Sequence, residues 1–166
     1  MEKIVKIIVA THKNYKMPND KMYVPLQVGA KSKKSFGFKR DDTGDNISIK
    51  NPYFCELTGL YWAYKNLSAD YIGLVHYRRY FKGKNKGQDK FQRILTLKEV
   101  IKIVDEVDII LPKKRNYYIE TLYNHYKHTM FVEPLDIVGK IIEEKHYKYY
   151  KEFENLKKSI FRPHRL

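Results

Sequence analysis

Apolar positions along the chain fall in short continuous runs and, between two of them, at helical spacing. Residues 3–10 (KIVKIIVA) are a β-branched run that stops at Thr11-His12-Lys13, the pattern of a central strand. Residues 23–28 predict a second strand. Residues 71–77 predict a third, in which Tyr71, Ile72, Leu74 and Val75 suit a strand covered on both faces. Between them Leu57, Leu60, Tyr61 and Tyr64 recur at helical spacing through NPYFCELTGLYWAYKNL, with Asn51 as N-cap and Pro52 as the first helical residue. Thr96 followed by Glu99 spells a capping box ahead of LKEVIKIVDEV, and DIIL at residues 108–111, closed by Pro112, predicts a further strand. Residues 117–159 read as largely helical, with a break near Glu133-Pro134. Alternating strands and helices predict an α/β fold: a Rossmann-like, mostly parallel sheet with flanking helices and a helical C-terminal part.

The segments between are polar. Residues 29–45, with KSKK and DDTGD, have the composition of an exposed loop, and KGKNKGQDK reads as a flexible basic one. There is no internal repeat. The size prior for 166 residues is a single domain spanning 1–166. No apolar run reaches membrane-spanning length, and MEKIVKIIVATHK turns polar too soon for a secretory signal, which predicts an intracellular protein. Cys55, the single cysteine, has apolar neighbours and is expected to be a small buried hydrophobe.

Charge narrows the partners. Lys and Arg number 33 against 19 acidic residues, a net charge of +14, which points to an anionic partner: a nucleic acid, a membrane surface or a phosphorylated small molecule. Most of the cations are Lys in a chain also rich in Tyr and Asn, a bias that genome composition can produce, so charge alone does not identify a nucleic-acid binder. Neither GxGxxG nor the P-loop lysine motif is present, which removes support from dinucleotide and ATP readings.

Candidate chemistry collects where strands end. Parallel strands would bring Thr11-His12, His76-Tyr77-Arg78-Arg79 and Pro112-Lys113-Lys114-Arg115 to one carboxyl edge, a cationic set suited to a diphosphate. Arg78 and Arg79 are adjacent, so a turn is expected at the strand's end, and fixed guanidiniums there could stabilise leaving phosphate charge. Solvated or ion-paired surface arginines are the competing reading. Tyr77 fits either a stacking platform or a packed core position. Asp41, Asp42 and Asp45 could hold Mg²⁺ or supply a base, or simply form a solvated turn. Glu56, inside an apolar helix, is a candidate base or hydroxyl ligand, with a structural ion pair as its alternative. His125 and His128 share a helical face but have no third ligand nearby for zinc, which leaves His125 as a candidate for catalysis or substrate hydrogen bonding.

The stretches KIIVATHK, GDNISIKNPYFCELTGLYWAYKNL and DYIGLVHYRRYF, with DIILPKKR and NHYKHT after them, resemble the domain of unknown function 4422 family of bacterial capsular and exopolysaccharide gene clusters, regarded as glycosyltransferases. The resemblance implies a GT-A-type fold and transfer of a hexosyl unit, such as galactosyl, from a UDP-sugar to a lipid-linked glycan. It also implies a place at the cytoplasmic face of the membrane, where the basic surface would meet anionic lipid. The family pattern falls on Thr11, His12, Asp45, Asn46, Glu56, His76, Tyr77, Arg78 and Arg79. These and His125 are the expected site: Glu56, Asp45 and His125 for catalysis, the others for the donor. No cofactor is required on this reading, with room for Mg²⁺ or Mn²⁺, and no nucleic acid is expected; a non-catalytic basic nucleic-acid-binding module is the alternative. Similar proteins continue further, so the ending SIFRPHRL reads as a truncated or frame-shifted form.

Overall fold

The computed structural model describes residues 3–162. The chain divides into two compact units, the first reaching Ile110 and the second beginning at Leu111. The last four residues of SIFRPHRL lie outside the described residues.

In the first unit, β1 (Val5–Thr11), β2 (Tyr23–Gln27), β3 (Lys39–Arg40) and, after two helices, β4 (Tyr71–His76) form one sheet of order β3-β2-β1-β4. Every pairing is parallel, with Val5 opposite Tyr71 and Ile7 opposite Tyr23, and this is the α/β architecture that the alternation predicts. β1 is central and serves both faces. Val5, Ile7 and Val9 join Met22, Tyr23, Val75 and Tyr77 in one core, while Ile8 and Ala10 join Leu26, Val28, Trp62 and Ala63 in the other. Alternation on a pleated strand requires this division, and each large apolar side chain buried there contributes roughly 1.5–3 kcal/mol.

Helices cover each face. The apolar segment predicted as one helix is two: α1 (Asn51–Phe54) and α2 (Leu57–Asn66). They break at Cys55, whose φ of 47° and ψ of −130° no helix accommodates. Cys55 is thereby exposed instead of buried. Asn51 is the first helical residue and not the N-cap; its Nδ2 donates to Cys55 O at 2.7 Å and to Thr58 Oγ1 at 3.0 Å, clamping the break. α2 lies so close to the sheet that a Cβ on Gly59 would stand 2.8 Å from Val28 Cγ1. The other face takes α3 (Leu97–Val104), which starts on the predicted Thr96–Glu99 capping box and buries Val100 and Val104. Tyr23 Oη donates to Leu95 O at 2.7 Å and Asp20 accepts from Leu97 N, tying α3 to the sheet.

Three further expectations change. Residues 108–111 form no strand: Ile109 and Leu111 are exposed, without the two-sided burial that a central strand needs. No strand of this sheet therefore leads into the KKR run after Pro112. The basic loop after β4 is tied at its ends, Gly83 N donating to Arg93 O and Leu95 N to Phe81 O, and it contains a capping box of Asp89 and Gln92. The 29–45 segment is not wholly an exposed loop either. It holds β3, and Asp41 is 0% exposed.

Asp41 is a hub. Its carboxylate accepts from Gly29 N (2.8 Å), Ala30 N (2.9 Å), Ser48 Oγ (2.6 Å) and Thr58 Oγ1 (2.7 Å), joining the turn after β2, the approach to α1 and the start of α2. Gly29 fits the turn because its φ is +57° and the Asn51 side chain fills the space where a Cβ would stand.

The second unit contains β5 (Arg115–Asn116), α4 (Leu122–Thr129), α5 (Glu133–Lys145), α6 (Tyr150–Lys158) and β6 (Phe161–Arg162), with β5 and β6 antiparallel. The break expected near Glu133-Pro134 is the start of α5, where proline stands in the first turn.

Asp41→Ala is expected to lower the unfolding free energy by about 3 kcal/mol or more, because four donors lose a charged acceptor away from water. A urea midpoint that falls at unchanged slope is the expected result. A loss under about 1 kcal/mol would mean that the donors find other partners.

Candidate functional site

The site is built on the carboxyl ends of β1 and β4. Thr11 ends β1, fully buried; its hydroxyl donates to Lys13 O at 2.6 Å and accepts from Lys13 N at 3.1 Å, so it shapes the turn that carries His12 to the surface. β4 ends in a reverse turn in which Arg79 N donates to His76 O at 2.8 Å. The turn expected at the strand's end is therefore present, with Tyr77 and Arg78 at its centre. His76, Tyr77 and His12 form an aromatic group: His76 and Tyr77 have ring centroids 4.2 Å apart, and His12 meets Tyr77 edge-on at 5.5 Å and lies 6.4 Å from His76. Tyr77 is buried, the outer end of the core on the α3 side, and supports the group from below. The guanidinium of Arg78 lies over the Tyr77 ring at 5.3 Å, and both arginine side chains are on the exposed side of the turn.

Glu56 reaches this group because the chain breaks at Cys55. Half-buried at the start of α2, it stands 4.0 Å from His76 Nε2. His76 Nδ1 accepts from Arg78 N at 3.3 Å, so in the neutral ring the proton sits on Nε2, facing Glu56. Burial pushes the His76 pKa below its ordinary value; Glu56 opposes the shift, and the charges of Arg78, Arg79 and His12 add to it.

Two contributors escape sequence reasoning. Tyr15 packs against Tyr77 with ring centroids 5.2 Å apart, and Lys90 Nζ lies 4.4 Å over the Tyr15 ring and 3.2 Å from its hydroxyl. Asp89 caps the turn that carries Lys90. The only signal in the sequence is the DKFQ spacing of that cap.

Other expected residues of the first unit lie elsewhere. Asp45 accepts from Tyr61 Oη at 3.0 Å and pairs with Lys65, toward the opposite end of α2 from Glu56. Asn46 closes its own turn, Nδ2 donating to Gly44 O and Oδ1 accepting from Ser48 N. The three aspartates are dispersed. Asp41 is the buried hub, and Arg40 forks onto Asp42 at 3.0 and 2.7 Å, holding its carboxyl below the usual range. Among the described residues no group of three His, Cys, Asp or Glu side chains is arranged to hold a metal ion. In the second unit Glu120 joins His125 at 3.1 Å and His128 at 3.2 Å, and Tyr117 stacks on His125 at 4.0 Å.

A parallel sheet with a cationic, imidazole-rich group at its carboxyl edge defines an α/β domain whose candidate site lies at the strand ends. The solved apo structure of WbbM, a bifunctional glycosyltransferase, matches with a TM-score of 0.81 at 28% identity, over 96% of this chain and 32% of that one. The family model described as a domain of unknown function, DUF4422, matches residues 6–161, and the chain belongs to that family. No curated protein matches it.

His76 is expected to titrate below 6.5 in a histidine-resolved NMR titration. Glu56→Gln should lower the value further and Arg78→Gln should raise it. Because the folded-state pKa is the lower one, the unfolded chain binds the proton first, so His76 makes stability fall as pH drops from about 6.5 to the folded value. An imidazole titrating at or above 6.5 would contradict the burial that lowers it.

Proposed function

We propose that the chain is the donor-binding part of a glycosyltransferase that moves a hexosyl unit, such as galactosyl, from a UDP-sugar to a hydroxyl of a lipid-linked glycan in capsular or exopolysaccharide synthesis. The observation that carries this reading is the Glu56–His76–Arg78 constellation at the sheet's carboxyl edge. Similarity to the bifunctional glycosyltransferase supports the reaction class.

Each residue then has a part. Arg78, joined by Arg79 and His12, meets the diphosphate and stabilises the negative charge that gathers there as the bond from the anomeric carbon breaks. An acceptor hydroxyl between Glu56 and His76 can reach both groups, which stand 4.0 Å apart. The Nε2–H of His76 orients its oxygen, and Glu56 takes its proton as the new bond to the anomeric carbon forms. A paired-carboxylate metal site would follow β4 in many nucleotide-sugar enzymes; here the chain reads HYRR. Guanidinium charge in that position favours donor binding that does not require Mg²⁺ or Mn²⁺.

Calorimetric titration with UDP and UMP tests the assignment. Arg78→Ala is expected to weaken UDP by roughly 1.5–3 kcal/mol, the range for charge-assisted hydrogen bonds, and UMP far less. EDTA should change UDP affinity by less than about tenfold, or about 1.4 kcal/mol. Glu56→Gln should retain UDP and lose transfer. Equal losses for UDP and UMP would refute the role of Arg78. Steeply salt-dependent oligonucleotide binding with indifference to UDP would favour a nucleic-acid module instead.

A further inference from the structure

The strap between β3 and α2 exposes apolar side chains that the donor site does not use. Tyr53 is 88% exposed and Ile49 72%, and Pro52, Phe54 and Leu57 are exposed beside them. Five such residues within nine positions form a ridge, not the scattered exposure that any surface shows. The ridge is held in place: Asn51 clamps the α1 break, and Ser48, just ahead of it, donates to the buried Asp41.

Cations stand against this ridge. A cleft of about 280 Å³ has Ile49, Asn51 and Pro52 on one side and Gly29, Lys31 and Lys33 on the other. The lysine turn is itself fixed, since Arg40 donates to Ala30 O at 2.7 Å and Lys33 O at 2.9 Å, and Gln27 donates to Lys34 O at 2.9 Å. The nearby acids do not cancel this charge. Asp41 is buried and engaged by four donors, and Asp42 is paired with Arg40. Among the described residues Lys31, Lys33 and Lys50 carry no ion pair.

We propose that this surface docks on an anionic lipid bilayer, with Tyr53, Phe54 and Ile49 entering the headgroup boundary and Lys31, Lys33 and Lys50 meeting lipid phosphates. A tyrosine and a phenylalanine on a short helix, with Lys50 just ahead of it and Lys31 and Lys33 across the cleft from Ile49 and Pro52, match the two faces of such an interface, apolar below and negatively charged above. The same strap carries Glu56 at its far end, so docking brings the sheet's carboxyl edge to the membrane, where a lipid-linked acceptor resides. The docking itself does not depend on the donor reading and is measured without nucleotide.

Flotation of the full chain with vesicles of phosphatidylcholine, alone or mixed with phosphatidylglycerol, is the test. The expected result is binding to the mixed vesicles that weakens with salt and is at least tenfold lower for Tyr53→Ser/Phe54→Ser. Lys31→Gln/Lys33→Gln/Lys50→Gln should reduce partitioning on mixed vesicles by roughly fivefold per lysine, and on phosphatidylcholine hardly at all. All five positions are exposed, so both variants should keep the parent's melting temperature and UDP affinity. Absence of flotation of the parent, or equal flotation of parent and variants, would overturn the proposal. So would a parent that is a dimer in gel filtration and becomes monomeric with Tyr53→Ser/Phe54→Ser, which would make the ridge a contact between copies. A chain that floats as expected but ignores UDP would leave membrane docking standing and remove the donor assignment.

Discussion

One buried carboxylate sets the geometry on which the first unit's carboxyl edge depends. Asp41 has no exposed surface and gathers two backbone amides after β2, the Ser48 hydroxyl and the Thr58 hydroxyl near the start of α2. A charge in that position is tolerable only because every direction in which it could accept a hydrogen bond is filled. The residues it joins are separated in sequence and belong to a turn, a strap and a helix. Carboxylate geometry therefore adds to packing where the chain leaves the core and forms a site.

From that anchor the site follows by short steps. Thr58 also accepts from Asn51, and Asn51 fixes the carbonyl of Cys55, so the helix break is tied to the hub through two side chains. The break turns Glu56 toward His76, a residue that the β1–β4 pairing holds opposite Ala10. Histidine and carboxylate thus come from separate elements, and their 4.0 Å separation reflects the sheet and the strap together. A substrate hydroxyl placed between them would meet a donor on one side and an acceptor on the other, which gives a direction to proton movement before any reaction begins.

Much of this was legible in the residues. Continuous β-branched runs located β1, β2 and β4 to within a residue or two, because strands buried on two faces need apolar side chains throughout, and Thr96 with Glu99 marked the start of α3 through its own backbone bonds. The edge location of His12 and His76–Arg79 followed from the strands alone. The α1–α2 break did not, because helical spacing of Leu57, Leu60, Tyr61 and Tyr64 says nothing of a positive φ imposed by a distant hub. DIIL misled because β-branched residues state a preference and not a partner. The aspartates of DDTGD looked equivalent in sequence and have three different fates, since which one is buried depends on donors supplied by Gly29, Ser48 and Thr58.

The all-parallel sheet has a consequence for how the chain comes to be folded. Ile7 pairs with Tyr23 but Val5 with Tyr71, so β1, the strand with the most buried surface, finds the next strand on one side and a much later one on the other. Its β4 side stays open until the ribosome has made everything through His76, and contacts of such long reach form late and slowly. For that interval KIIVA is an uncovered apolar strand in a growing chain, the kind of segment that holds chaperones or associates with its own copies. The strongly positive charge, with Lys3 and Lys6 close by, then acts during synthesis as well as afterwards, because like-charged nascent chains repel one another before the central strand is enclosed.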